Sequence, residues 1–101
     1  MEVWRERAFE IVLDGIWVTG VFDRVLVVKD PSGRAISAAV YDFKTDRNIV
    51  QNLARATERH AGQITLYRRV VAVLTGLPEK MIKCILVFTE GGLAVEVPLK
   101  N

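Results

Sequence analysis

A single cysteine, Cys84, is all the thiol this 101-residue sequence carries. One thiol excludes an intrachain disulfide, a structural zinc site built on cysteines and a four-cysteine iron–sulfur cluster. Charge of one sign is also scarce: the formal net charge is only +2, too small by itself to argue for a nucleic-acid partner. Charged residues interrupt every apolar run before it reaches membrane-spanning length, and the start Met-Glu-Val-Trp-Arg-Glu lacks the basic, apolar and small-residue regions of a signal peptide. A cytoplasmic, reducing location is therefore expected. No Gly-x-x-x-x-Gly-Lys-Ser/Thr loop is present, which excludes an ATPase of the P-loop kind. Internal repeats and low-complexity segments are absent as well.

What is present is a core. Half of the residues are hydrophobic, enough for one globular domain spanning residues 1–101 and too short a chain for a second. The one clustering of charge is basic and central, where Lys44, Arg47, Arg55, Arg59, Arg68 and Arg69 outnumber Asp42, Asp46 and Glu58.

Val3 to Leu13 reads as a strand, with Phe9, Ile11 and Leu13 on one face, although Trp4, Ala8, Ile11 and Val12 also fit helical spacing. The strand reading is preferred because Asp14-Gly15 forms a two-residue hairpin turn into Ile16–Val28, a run rich in β-branched residues and apolar on both faces, as in a strand covered from both sides. Lys29–Arg34 is a turn around Pro31 and Gly33, and Ala35–Lys44 is a third strand. Thr45–Thr57 shows no clean period and reads as a loop or short helix. A helix then follows, capped by Thr57 and closed by Gly76 and Pro78, with Gln63, Tyr67, Val70 and Leu74 along one face. Met81–Thr89 and Leu93–Leu99 read as two strands joined by Glu90-Gly91-Gly92. The order is β-β-β-α-β-β, an α+β arrangement with a mixed sheet.

Chemistry gathers at the strand ends. In an extended strand Asp42 and Lys44 share one face while Tyr41 and Phe43 share the other. Antiparallel pairing through the Asp30–Gly33 turn brings Asp23 to the same cluster. Two carboxylates with a lysine beside them suit Mg²⁺ or Mn²⁺, hard cations held by one or two carboxylates together with substrate phosphate oxygens. The lysine would orient an attacking water or stabilise charge on a phosphate. The set serves phosphodiester hydrolysis.

Gly20-Val-Phe-Asp23-Arg24-Val, Tyr41-Asp42-Phe43-Lys44-Thr45 and Gln63-Ile-Thr-Leu-Tyr67 together resemble the RecB-like nuclease branch of the PD-(D/E)XK superfamily, especially the domains fused to UvrD/Rep-type helicases such as AddA. The resemblance runs from about Arg5 to about Pro98. It implies a restriction-endonuclease-like core that lacks the family's first helix, excised from a longer helicase–nuclease acting on DNA in double-strand-break repair. It also implies catalytic roles for Asp23, Asp42, Lys44 and Gln63, with Gln63 positioning the lysine or a phosphate. Asp23 and Asp42 become metal ligands, and Glu6, within Glu6-Arg-Ala-Phe9, becomes a third candidate acid. Tyr67, Arg47, Arg68 and Arg69 become DNA contacts.

Each of these residues also has an ordinary reading: Asp23 as a solvated strand-end acid, Asp42 and Lys44 as an exposed ion pair worth roughly 0–1 kcal/mol, Tyr67 as core and the arginines as a solvated helix face. His60 reads as a surface histidine, Trp4 and Trp17 as packing residues and Cys84 as a small buried apolar group. Two rivals stand beside the helicase-linked exonuclease: a nuclease of another branch, and a non-catalytic DNA-binding or structural module that retains the fold. Strands apolar on both faces further imply an uncovered sheet surface and self-association.

Overall fold

The structure is a computed structural model that describes residues 1–100. β1 (Glu2–Leu13), β2 (Ile16–Lys29), β3 (Ala35–Lys44), α1 (Ile49–Thr75), β4 (Ile82–Phe88) and β5 (Leu93–Glu96) follow in order, with a 3-10 turn at Glu79–Met81 ahead of β4. The five strands form one mixed sheet ordered β1-β2-β3-β4-β5. β3 and β4 run parallel, and every other neighbouring pair is antiparallel. Parallel neighbours need a crossover, which α1 supplies.

Asp14 and Gly15 both adopt left-handed φ, 51° and 79°, as a two-residue hairpin turn requires. Their turn sets the β1/β2 register from Leu13 opposite Ile16 out to Glu2 opposite Val27. β3 pairs with β2 only between Arg24 and Lys29, so the first half of β2 has β1 as its sole neighbour. The expectation that β2 is covered on both faces along its length is corrected here. Phe22, Val25 and Val27 are buried, whereas Ile16, Trp17 (68% exposed) and Val21 lie on a hairpin arm that projects past the sheet.

α1 begins at Ile49, not near Thr57, with left-handed Asn48 at its N-cap. Asn52 leaves helical geometry (φ −125°, ψ 23°) and divides the element. The kink turns the first segment relative to the rest, and the helical period disappears from the sequence there. The C-terminus closes as expected: Gly76 (φ 76°) donates its N–H to Ala72 O. β5 stops at Glu96 and does not reach Leu99. Val97 still donates to Cys84 O at 2.8 Å, but Pro98 has no N–H with which to extend the ladder.

α1 covers one face of β3 and β4. Ile64, Val70 and Val71 pack with Val40, Cys84, Leu86 and Phe88, all fully buried, and each such side chain contributes roughly 1.5–3 kcal/mol. The buried stripe is centred on Ile64, Arg68 and Val71, not on Gln63, Tyr67, Val70 and Leu74, since Gln63 and Leu74 are exposed. On the opposite face Leu26, Ala39, Tyr41, Ile85 and Val87 are only half-buried, and Val3 and Phe43 are exposed.

Candidate functional site

The site lies where β2 and β3 separate. Their ladder ends at Arg24 opposite Tyr41, while β3 continues beside β4 to Lys44 opposite Phe88. The N–H of Phe43 is then left without a β2 carbonyl, and Asp23 Oδ2 accepts it at 2.9 Å. Strand divergence thus bends the Asp23 carboxylate over the stretch of β3 that carries Asp42 and Lys44.

Asp42 points to the helix side, in line with Ala38 and Val40, and is only 4% exposed. Burial holds its carboxyl above the usual aspartate range, and the hydrogen-bonded Asp23 beside it pushes the same way, while Lys44 opposes both. Lys44 Nζ lies 3.1 Å from Asp42 Oδ2 and donates to Gln63 Oε1 at 2.9 Å. That ammonium is the charge partner of an Asp42 oxygen that is otherwise buried without a hydrogen bond. Thr89 fixes the end of β3 through its N–H and hydroxyl, both donated to Lys44 O.

Tyr67 is half-buried, edge-on to Phe9 and Phe22 with ring centroids 5.5 and 5.4 Å away. Burial raises its hydroxyl pKa first, followed by the negative charges of Asp42 and Asp23. Gly20 makes this packing possible. A Cβ there would lie 2.7 Å from Phe9 Cζ and 3.2 Å from the Tyr67 hydroxyl.

Asp23, Asp42, Lys44 and Gln63 therefore form one connected group, with the Tyr67 hydroxyl in the field of the two acids. Glu6 does not join it. Its backbone is left-handed (φ 44°) at the point where the β1/β2 ladder is interrupted. It lines an open cleft with Asp23, Arg5, Arg24 and Phe43, but among the described residues no three His, Cys, Asp or Glu side chains gather to hold a metal ion. Arg68 is corrected from DNA contact to core residue. It is 1% exposed and donates to Ile82 O at 3.1 Å and Val97 O at 2.6 Å, its long stem matching the apolar layer that its head must cross. Arg69 pairs with Asp14 at 2.6 Å, tying α1 to the hairpin turn. Arg47 is exposed just beyond β3. His60 is part-buried and, with Arg59, engages Asp46. Cys84 is buried, its thiol pushed up to about 11 by desolvation.

Three residues beside the acids escaped the sequence reading as a group: Arg5, Arg24 and Phe43. Counting outward from the Asp14-Gly15 turn, one residue on each strand per step, places Arg5 opposite Arg24. The signal was therefore there to be read.

The donor set fits a divalent cation. Two carboxylates meet in a partly desolvated place, one of their oxygens is buried with only the Lys44 ammonium near it, and burial, together with Asp23 alongside, raises the proton affinity of Asp42. A cation relieves all three conditions. The model of the PD-(D/E)XK nuclease superfamily matches residues 1–99 of the chain, and no curated protein matches it. The chain belongs to the PD-(D/E)XK nuclease superfamily, whose members generally use divalent metal ions.

Proposed function

We propose that this member of the PD-(D/E)XK nuclease superfamily is a metal-dependent deoxyribonuclease domain of the RecB-like branch, the nuclease core of a longer helicase–nuclease that trims DNA at double-strand breaks. The observation that carries the hydrolytic part is the unbroken chain of contacts Asp23, Asp42, Lys44, Gln63. Asp23 and Asp42 would hold Mg²⁺ or Mn²⁺, which when bound supplies a Lewis acid for the phosphoryl oxygen and lowers the pKa of its water. The remaining chemistry belongs to this chain. Lys44 presents an ammonium at the edge of the carboxylate pair, placed to donate to a phosphate oxygen as negative charge develops there. Gln63 Oε1 holds that ammonium so that it need not reorganise on binding. The RecB-like and helicase-linked assignments rest on the three motifs, Gly20 to Val25, Tyr41 to Thr45 and Gln63 to Tyr67.

A second reading keeps the fold and DNA binding without hydrolysis. It draws on the Lys44 contact with Asp42, which occupies the carboxylate a metal would need. Cleavage of end-labelled single- and double-stranded DNA with Mg²⁺ or with chelator separates the two. Metal-dependent cleavage is expected. Asp42→Ala should abolish it, and Lys44→Ala should lower it by roughly two to three orders of magnitude. DNA binding without metal-dependent cleavage would favour the non-catalytic module.

A further inference from the structure

The sheet face away from α1 carries a juxtaposition that the acid pair does not use. Arg5 and Arg24 stand directly opposite each other across β1 and β2, and like charges so placed repel. Neither has a carboxylate partner within salt-bridge distance among the described residues. The Arg24 guanidinium lies 5.6 Å from the centre of the Phe43 ring, and Phe43 is 38% exposed. Two adjoining clefts, of about 570 and 350 Å³, share Arg5, Arg24 and Phe43, and the larger also takes in Asp23 and Glu6.

Two features here lack a partner within the chain: two cations side by side with no carboxylate in salt-bridge contact, and an aromatic ring partly open to solvent. A phosphate would bridge the pair directly, which neither Glu6 nor Asp23 does, although both line the larger cleft. A flat guanidinium beside an aromatic ring is a surface on which an unstacked base can lie. Phe43 is also the residue whose N–H fixes Asp23, so a nucleotide seated here adjoins the acid pair through one residue.

We infer that Arg5, Arg24 and Phe43 form a subsite for an unpaired nucleotide of the DNA strand, Arg5 and Arg24 neutralising its phosphate and the Arg24–Phe43 stack receiving its base. The inference deepens the nuclease reading and rests on it for the identity of the ligand. It makes the substrate a single strand or a frayed end, because a base inside a duplex has no free face to offer.

The test is fluorescence anisotropy of a labelled oligodeoxythymidine and of a blunt duplex, measured in chelator across a salt series, alongside metal-dependent cleavage of the single strand by the unaltered chain. Removing both arginines should reduce the salt slope for the single strand by about 0.7, the contribution of the one phosphate they neutralise. Phe43→Ala should weaken single-strand binding roughly 5- to 150-fold, the equivalent of one lost base stack. It should leave the salt slope and duplex binding unchanged, and Phe43→Trp should restore the affinity. If the chain cleaves DNA but the variants bind like it, the subsite is refuted and the nuclease reading stands. If the chain binds and the variants weaken as described but no cleavage occurs, the subsite stands and the catalytic reading falls. If Phe43→Ala changes only the sedimentation of the chain, the face is a protein-docking surface and the inference is overturned. Failure of the unaltered chain to bind either DNA overturns it as well.

Discussion

Asp42 and Arg68 are the two buried charged side chains among the described residues, and they are treated in opposite ways. Arg68 is given acceptors: two of its three guanidinium nitrogens meet the carbonyls of Ile82 and Val97, where β4 begins and β5 has just ended, and Nη1 alone has no partner. Asp42 is given a second acid, Asp23, beside it, and a lysine ammonium 3.1 Å from its Oδ2. A buried charge supplied with acceptors holds a fold together, whereas a buried acid with a second acid beside it is destabilising to the extent that its counter-charge falls short. The difference is between a cation set among carbonyl acceptors and an acid pressed against a second acid, on the same side of one sheet.

Arg68→Ala breaks the comparison on the structural side and should have the largest effect on stability. It strands two carbonyls and opens a cavity, so urea unfolding should show a loss of roughly 2–5 kcal/mol. Arg68→Met, which keeps the stem, should lose less.

Asp42→Asn sharpens the comparison on the other side by stabilising the chain. Because the folded state raises the Asp42 pKa, it binds the proton more tightly than the unfolded state does. The stability that proton confers is fully present below the ordinary Asp pKa of about 3.9 and is lost as pH rises through the folded value. At pH 7, without metal, the asparagine variant should therefore be more stable by about 0.5–2 kcal/mol, the scale seen when function-linked strain is relieved. The gain should disappear below about pH 3.5, where aspartate is protonated in both states. Thermal melts at the two pH values measure this.

The smallest effect belongs to the surface. Arg69→Ala removes the exposed pair with Asp14 and should change stability by about 1 kcal/mol or less. A larger loss in the same urea titration would mean that the pair clamps the projecting hairpin arm.

The sequence was most legible where local rules act. The Asp14-Gly15 turn, the β3 strand ending on Asp42 and Lys44, and the Gly76 stop of α1 all follow from backbone preferences of a few residues. It was least legible where tertiary context overrides them. The start of α1 at Ile49 is hidden by the kink at Asn52. Arg68 looks like any helix-surface arginine until two carbonyls are brought to it by β4 and the segment after β5. The exposure of Trp17 depends on how far β3 runs beside β2, which hairpin chemistry does not determine. Within the site, alternation predicted that Asp42 and Lys44 share a face. The turn to Asp23 was anticipated too, but not the Phe43 N–H that holds it, because that bond exists only where the ladder fails. Glu6 was drawn in by a motif, and the structure places it at a break in the β1/β2 ladder, in one cleft with Asp23 but outside the connected group.

The central claim of the proposed function is that Asp23 and Asp42 together hold a divalent cation. Calorimetric titration of Mn²⁺ into the chain, into Asp42→Asn and into Asp23→Asn tests it most directly. The account predicts saturable binding to the unaltered chain, weakened at least about tenfold by either substitution, the scale of losing a ligand's charge. Equal affinity in all three proteins, or no binding to the unaltered chain, would contradict it.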